Sequence, residues 1–328
     1  MKRFFLLIVL IVGGAVGFVA WWLNAPLKLA QSTVEVSIEP GTSPRAVADA
    51  WVGAGVQEQP LWLYEWFRWS GRARQIRAGS YEIQTGITPV QLLDKMVRGD
   101  QTMEQLRLIE GWNIRQVRAA LAAAPSLRNT TAQMSDADLM AAVGAPGVAP
   151  EGRFFPDTYA YSRGVSDVTV LKRAYHQMRE RLATAWEGRA EGLPLKSPDE
   201  ALTLASIVEK ETGTPADRGQ VAAVFVNRLR IGMPLQTDPT VIYGLGENYD
   251  GNLHKRDLQS DSAYNTYTRG GLPPTPIAMP GAASLQAALH PAASKALYFV
   301  SRGDGSSEFS EDLAAHNRAV NKYIRKQQ

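Results

Sequence analysis

Residues Phe4 to Leu23 form an uncharged run of twenty positions. At about 1.5 Å per residue it extends roughly 30 Å as a helix, the hydrocarbon thickness of a bilayer. Lys2 and Arg3 precede it, which predicts a cytoplasmic amino terminus with the rest of the chain on the far side. Trp21 and Trp22 stand at its far end, where aromatic rings favour the membrane–water interface. A cleaved signal peptide is the alternative, but its apolar core is ordinarily shorter, and no clear small-x-small cleavage site stands directly before Trp21. Residues 1–24 are therefore expected to remain as a single-pass signal anchor in the inner (cytoplasmic) membrane. The remainder would lie in the periplasm or another extracytoplasmic space.

Beyond the anchor, 45% hydrophobic and 20% charged residues suffice for a sizeable core. About 300 residues suggest two compact domains. There is no cysteine, which excludes disulfides, thiol catalysis and Cys-ligated metal. The net charge is only +3, with no dense basic run, so nucleic acid is not an expected partner. The four histidines, at 176, 254, 290 and 316, lack metal-ligand spacing. No P-loop, G-x-G-x-x-G, G-x-S-x-G or S-x-x-K motif is present. Neither a cofactor nor a metal is expected.

Residues 25–33 read as a linker. Val34, Val36 and Ile38 alternate with polar residues as in a half-buried strand. Pro40, Gly41 and Thr42 make a turn, and Ser43-Pro44 opens a helix. A second helix, Gln59 to Trp69, carries Leu61, Trp62, Tyr64, Trp66 and Phe67. Its rings read more readily as core than as a sugar platform. A returning strand at Ala78 to Ile83 and a helix at Pro89 to Val97 close the module. Residues 34–100 resemble a LysM-like carbohydrate-binding module, through I-E-P-G-T-S and A-G-S-Y. Residues 101–328 are expected to form a mixed α+β catalytic domain, so the fold class is α+β.

The chemistry is concentrated in L-A-S-I-V-E-K-E-T, Leu204 to Thr212. Leu204, Ile207, Val208 and Glu211 fall at i, i+3, i+4 and i+7, one face of a helix. A carboxylate beside such a stripe is costly to bury and tends to hold its proton near neutral pH, as a general acid must. The competing expectation is that Glu211 turns to solvent at the helix end. Ser197 and Glu200 predict a capping box at the helix start. Further on, Leu235 to Thr240 is a polar turn. Tyr264-Asn265-Thr266-Tyr267 and Gly271-Leu272-Pro273-Pro274 combine rings, amides and rigid turns that suit sugar recognition, or ordinary turn chemistry.

These segments in order, L-A-S-I-V-E-K-E-T, V-F-V-N-R-L-R-I-G-M-P-L-Q-T-D-P-T-V-I-Y-G, A-Y-N-T-Y, G-L-P-P, L-H-P and Y-F-V, resemble the YceG-like family over nearly the whole chain. The resemblance implies an endolytic peptidoglycan lytic transglycosylase. Such an enzyme cuts between N-acetylmuramic acid and N-acetylglucosamine in nascent strands and leaves 1,6-anhydromuramyl ends. It also implies that the second acid of E-K-E, Glu211, is the catalytic one. Substrate positioning is assigned to Gln236, Tyr264, Asn265 and Tyr267 from their side-chain chemistry and loop context. Glycan strands are the expected partner, with peptidoglycan synthases as possible neighbours in the membrane. The rival functions are a non-catalytic membrane-anchored wall-binding protein, and a two-carboxylate hydrolase with Asp238 or Glu209 as the second acid.

Overall fold

The computed structural model describes residues 2–39 and 41–325; Pro40, from the expected turn, lies outside them, as do the side chains of Arg3, Phe5 and Ile8. In chain order the elements are α1 (Lys2–Asn24), β1 (Thr33–Ile38), α2 (Pro44–Ala54), α3 (Pro60–Trp69), β2 (Gly79–Gln84), α4 (Pro89–Arg98) and β3 (Met103–Arg107). Then follow α5 (Ile114–Ala123), α6 (Asp136–Val143), β4 (Thr158–Ser162), α7 (Asp167–Glu187), α8 (Pro198–Glu211), α9 (Arg218–Arg230) and α10 (Asp238–Leu245). The chain ends with α11 (Lys255–Gln259), α12 (Ala282–Leu289), β5 (Tyr298–Ser301), β6 (Ser307–Ser310) and α13 (Leu313–Tyr323). The fold is mixed α+β, and among the described residues the strands form three two-stranded sheets, β1-β2, β3-β4 and β5-β6. Among the described residues no helix is long and apolar enough to cross a membrane. The expected span, Phe4 to Leu23, includes Phe5 and Ile8, whose side chains lie outside that description.

The chain divides into two compact units: Met1–Gln105 with Pro125–Arg128 and Ala160–Val165, and the remaining residues. In the first, β1 and β2 pair antiparallel from Thr33↔Gln84 to Ile38↔Gly79. The alternation of β1 sends Val34, Val36 and Ile38 inward. Helix α2 starts where expected: the Ser43 hydroxyl accepts from Ala46 N at 3.2 Å, and Pro44 fills the first position. Trp51, Leu63, Phe67, Leu92 and Met96 complete the core. Helix α3 meets the core expectation on one face only. Leu63 and Phe67 are fully buried, whereas Leu61, Trp62 and Trp69 are exposed.

The second unit is built around α8. Every residue from Ala201 to Val208 is buried, so the helix is enclosed on all sides and not only along the Leu204 stripe. Its buried hydroxyls are satisfied: Ser206 donates to Thr203 O at 2.7 Å and accepts from Ile277 N at 3.0 Å. The capping box forms by half. Ser197 accepts from Glu200 N, but the Glu200 carboxylate accepts from Lys196 N at 2.6 Å, one residue outside the expected partner. Helices α9 and α12 pack against α8. Helix α12 and strands β4 and β6 carry short or weakly patterned sequences that periodicity does not single out.

Candidate active site

Glu211 is the last residue of α8, where the helix leaves the core, and it is half-buried. Its position falls between the two expectations: beside the apolar stripe, yet with some access to solvent. Desolvation pushes its pKa up, and the negative charge of Asp238 adds to this. A hydrogen bond from Thr237 and the positive charge of Arg228 pull the other way. The balance is upward, so the carboxyl holds its proton further towards neutral pH than an exposed glutamate.

The bond from Thr237 comes from a rigid support. The Thr237 hydroxyl donates to Glu211 Oε1. Thr237 is itself buried, and its backbone N donates to Thr266 Oγ1 at 3.1 Å. Thr240 Oγ1 donates to Thr237 O at 2.7 Å and lies 2.9 Å from Thr266 Oγ1. Gln236 N donates to Thr266 O at 3.0 Å. Three threonines thus tie the turn before α10 to the 264–267 loop and aim one hydroxyl at Glu211. Gln236 adopts φ +50°, a left-handed conformation uncommon for a residue with a side chain. Its side chain is exposed next to Thr237.

Arg228, on α9, is a buried cation. Its guanidinium donates to Leu297 O at 2.7 Å and to Leu235 O at 2.8 Å, and it lies 5.3 Å from the centre of the Tyr298 ring. It therefore fixes the segment leading to Thr237 while placing a positive charge in the field felt by Glu211. Burial lowers the Arg228 pKa, partly offset by Tyr298, Tyr267 and Glu211.

The four expected substrate residues separate into two pairs. Tyr267 is at the site: its hydroxyl donates to Asp238 Oδ1 at 2.5 Å, and its pKa is raised by burial, by Asp238 and by the charge of Glu211. Gln236 flanks Thr237 as described. Asn265 is only 1% exposed, and its amide donates to the carbonyls of Asp257, Leu258 and Ser260 at 3.2, 3.1 and 2.6 Å. Its side-chain oxygen accepts from Tyr267 N at 2.9 Å, so Asn265 shapes the loop that presents Tyr267. Tyr264 packs 4.9 Å from Tyr243 and its hydroxyl lies 2.8 Å from Thr275 Oγ1. Glu209 is committed elsewhere, accepting from Gly281 N at 2.9 Å at the start of α12.

Thr237, Arg228 and a second buried acid were not singled out from sequence. That acid is Glu151, 3% exposed, with its pKa raised to about 7 by burial. Its carboxylate accepts from Ile114 N at 3.1–3.2 Å, at the first turn of α5, and from the Tyr243 hydroxyl at 3.1 Å. Both Glu151 partners are remote in sequence, and E-G-R-F-F-P-D-T-Y reads as a turn, so periodicity carries no signal for it. For Thr237, the available signal was the Thr-Asp-Pro sequence, a helix start with Pro in its first turn. A cavity of about 450 Å³ lies beside the first half of α8, lined by Arg153, Asp199, Thr203 and Leu272 among others; Glu211 is not part of its wall.

The sequence pattern of the YceG-like family matches residues 36–322. An endolytic murein transglycosylase of Bacillus subtilis (strain 168) is 31% identical over 332 residues, spanning 96% of this chain and 91% of its own. An endolytic murein transglycosylase of Streptococcus pneumoniae serotype 2 (strain D39) is 30% identical over 180 residues, 53% of this chain and 32% of its own. The crystal structure of a YceG-like protein from Listeria monocytogenes superposes with a TM-score of 0.55 at 29% identity, covering 88% of this chain and 99% of that one.

Proposed function

The chain belongs to the YceG-like family, and we propose that it is an endolytic lytic transglycosylase of peptidoglycan in which Glu211 moves the proton. The observation that carries the assignment of Glu211 is its half-buried carboxyl with a raised pKa, held by the Thr237 hydroxyl.

Thr237 occupies Oε1, which leaves Oε2 for the transferable proton. Protonated Glu211 donates to the oxygen between N-acetylmuramic acid and N-acetylglucosamine, and the C1–O bond breaks. The muramyl ring becomes oxocarbenium-like. The resulting carboxylate is stabilised by the Thr237 bond and by the Arg228 charge. It then takes the proton from the C6 hydroxyl as that oxygen closes on C1. Glu211 is reprotonated, and the product ends in a 1,6-anhydro ring. The substrate supplies its own nucleophile, so no second acid is required, in contrast to a hydrolase. Tyr267 and Gln236 are proposed to position the strand directly, whereas Asn265 and Tyr264 act by holding the loop.

Asp238 favours one competing reaction. It is an exposed carboxylate whose charge acts on Glu211, so it could activate a water in a two-carboxylate hydrolysis. Mass spectrometry of purified peptidoglycan after incubation with the protein separates the two. Anhydromuramyl ends support the transglycosylase, reducing ends support hydrolysis, and uncut strands leave only wall binding.

We further propose that residues 1–24 anchor the protein in the cytoplasmic membrane with its bulk outside, and that residues 34–100 act as a LysM-like glycan-binding module ahead of a catalytic domain at 101–328. The uncharged run behind Lys2 and Arg3 supports the first, and the β1-α2-α3-β2 order supports the second. Confinement to one membrane would raise the effective concentration of peptidoglycan synthases around it, which makes them the expected partners.

A further inference from the structure

Helix α3 is apolar on two sides. Leu63 and Phe67 enter the core, while Leu61, Trp62 and Trp69 on other faces are 56%, 39% and 79% exposed. A helix apolar all round is ordinarily buried all round. The exposed side of α3 is continuous with the carboxyl-terminal end of α1. Together they line an open groove of about 410 Å³, in which Phe18 and Trp22 of α1 face Trp62 and Trp66 of α3. Trp62 meets the Phe18 and Trp22 rings edge-on, each at 5.6 Å between ring centres. Glu65 is the only charged residue among those lining the groove, and its carboxylate accepts from Trp69 Nε1 at 2.9 Å.

We propose that α3 lies in the headgroup layer of the bilayer as a second membrane contact, seating the first unit on the membrane surface. This rests on the reading of α1 as the membrane anchor. Three observations select lipid as the occupant. First, five of the chain's eight tryptophans, at 21, 22, 62, 66 and 69, fall on these two helices, and tryptophan concentrates at membrane interfaces. Second, the groove continues the exposed apolar surface of α1, where Val16 and Trp21 also face outward. Third, Arg74 and Arg77 follow as exposed cations with no acid between Trp66 and Tyr81, a pattern suited to anionic headgroups; Arg68 lies 3.5 Å from Glu65, and Arg72 is held by Asp94 at 2.5 Å. A glycan would need several free donors and acceptors, which this apolar lining does not offer.

The absence of native cysteine allows single labels. Full-length Val12→Cys, Leu61→Cys and Asp100→Cys, each carrying an environment-sensitive fluorophore, would be reconstituted in phosphatidylethanolamine–phosphatidylglycerol vesicles containing nitroxide lipid. All three positions are exposed, so labelling leaves the core intact. The expected result is strong quenching at 12 and 61, and little at 100. Quenching at 12 with position 61 behaving like 100 would overturn the seat and leave the anchor standing. Quenching at 61 without 12 would refute the anchor on which the seat rests, and so overturn the proposal of a second contact. No quenching at either would overturn both. A signal at 61 that responds to purified glycan strands and not to vesicles would make the groove a sugar site, contrary to the proposal.

Discussion

The hydroxyl of Thr237 donates to Oε1 of Glu211, and it does so from a buried position. This bond stabilises the carboxylate form and so lowers the Glu211 pKa against the rise imposed by desolvation. Thr237→Val keeps the shape and removes the donor. The Glu211 pKa then rises, and the high-pH limb of activity, where the acid loses its proton, moves to higher pH. The carboxylate formed on proton donation loses a charge-assisted bond, so turnover at the optimum falls about tenfold or more. A pH profile of anhydro-end release checks both, and Thr237→Ser should recover most of the loss.

Asp238→Asn shifts the same limb in the opposite direction. Asp238 raises the Glu211 pKa through its negative charge. Its removal lets Glu211 ionise at lower pH, so activity fades earlier as pH rises. The asparagine oxygen still accepts from Tyr267, which preserves the loop. Retained anhydro products with a down-shifted limb are expected; complete loss of cleavage would identify Asp238 as a required second acid.

Glu151 sets a pH dependence of stability. Its folded pKa, about 7, lies above the ordinary 4.5. Between these values the folded state holds a proton that the unfolded chain has released. Its contribution is complete below about pH 4.5 and is lost as pH rises through 7, a change of roughly 3 kcal/mol at most. Glu151→Gln, which stays neutral and can still accept from Ile114 N and Tyr243, removes this dependence. Urea unfolding at pH 5 and pH 8 should show wild type losing more stability than the variant over that interval.

Asn265→Ala removes the donor to three loop carbonyls and the acceptor for Tyr267 N. Leaving such buried groups unpaired costs about 2–3 kcal/mol. Thermal unfolding should move to a lower temperature, and turnover should fall with the displaced loop.

The legible part of this molecule was what local pattern controls. The apolar spacing of Leu204, Ile207 and Val208 located α8, Ser43-Pro44 and Ser197-Pro198 marked two helix starts, and alternation marked β1. The two E-K-E acids have different surroundings: Glu211, in register with the stripe, meets Thr237, and Glu209 accepts from Gly281 N at the start of α12. Illegible parts depend on contacts between distant segments. Thr237 meets Glu211 across 26 positions, Arg228 meets Leu297 across 69, and Glu151 meets Tyr243 across 92. Asn265 carries side-chain chemistry suited to sugars, yet burial commits it to its own loop. The two exposed and buried faces of α3 were equally hidden, since both are aromatic.

The paired substitutions Glu211→Gln and Glu209→Gln, scored by mass spectrometry for anhydromuramyl ends on purified peptidoglycan with circular dichroism as a folding control, are the most direct measurement. Gln at 211 keeps the Thr237 partner but can neither give nor take the proton, so end formation should fall about 10²–10⁴-fold. Gln at 209 can still accept from Gly281 N, so its activity should stay within about threefold of wild type. A folded, active Glu211→Gln protein, whether or not Glu209→Gln is inactive, would contradict the assignment of Glu211 as the proton shuttle.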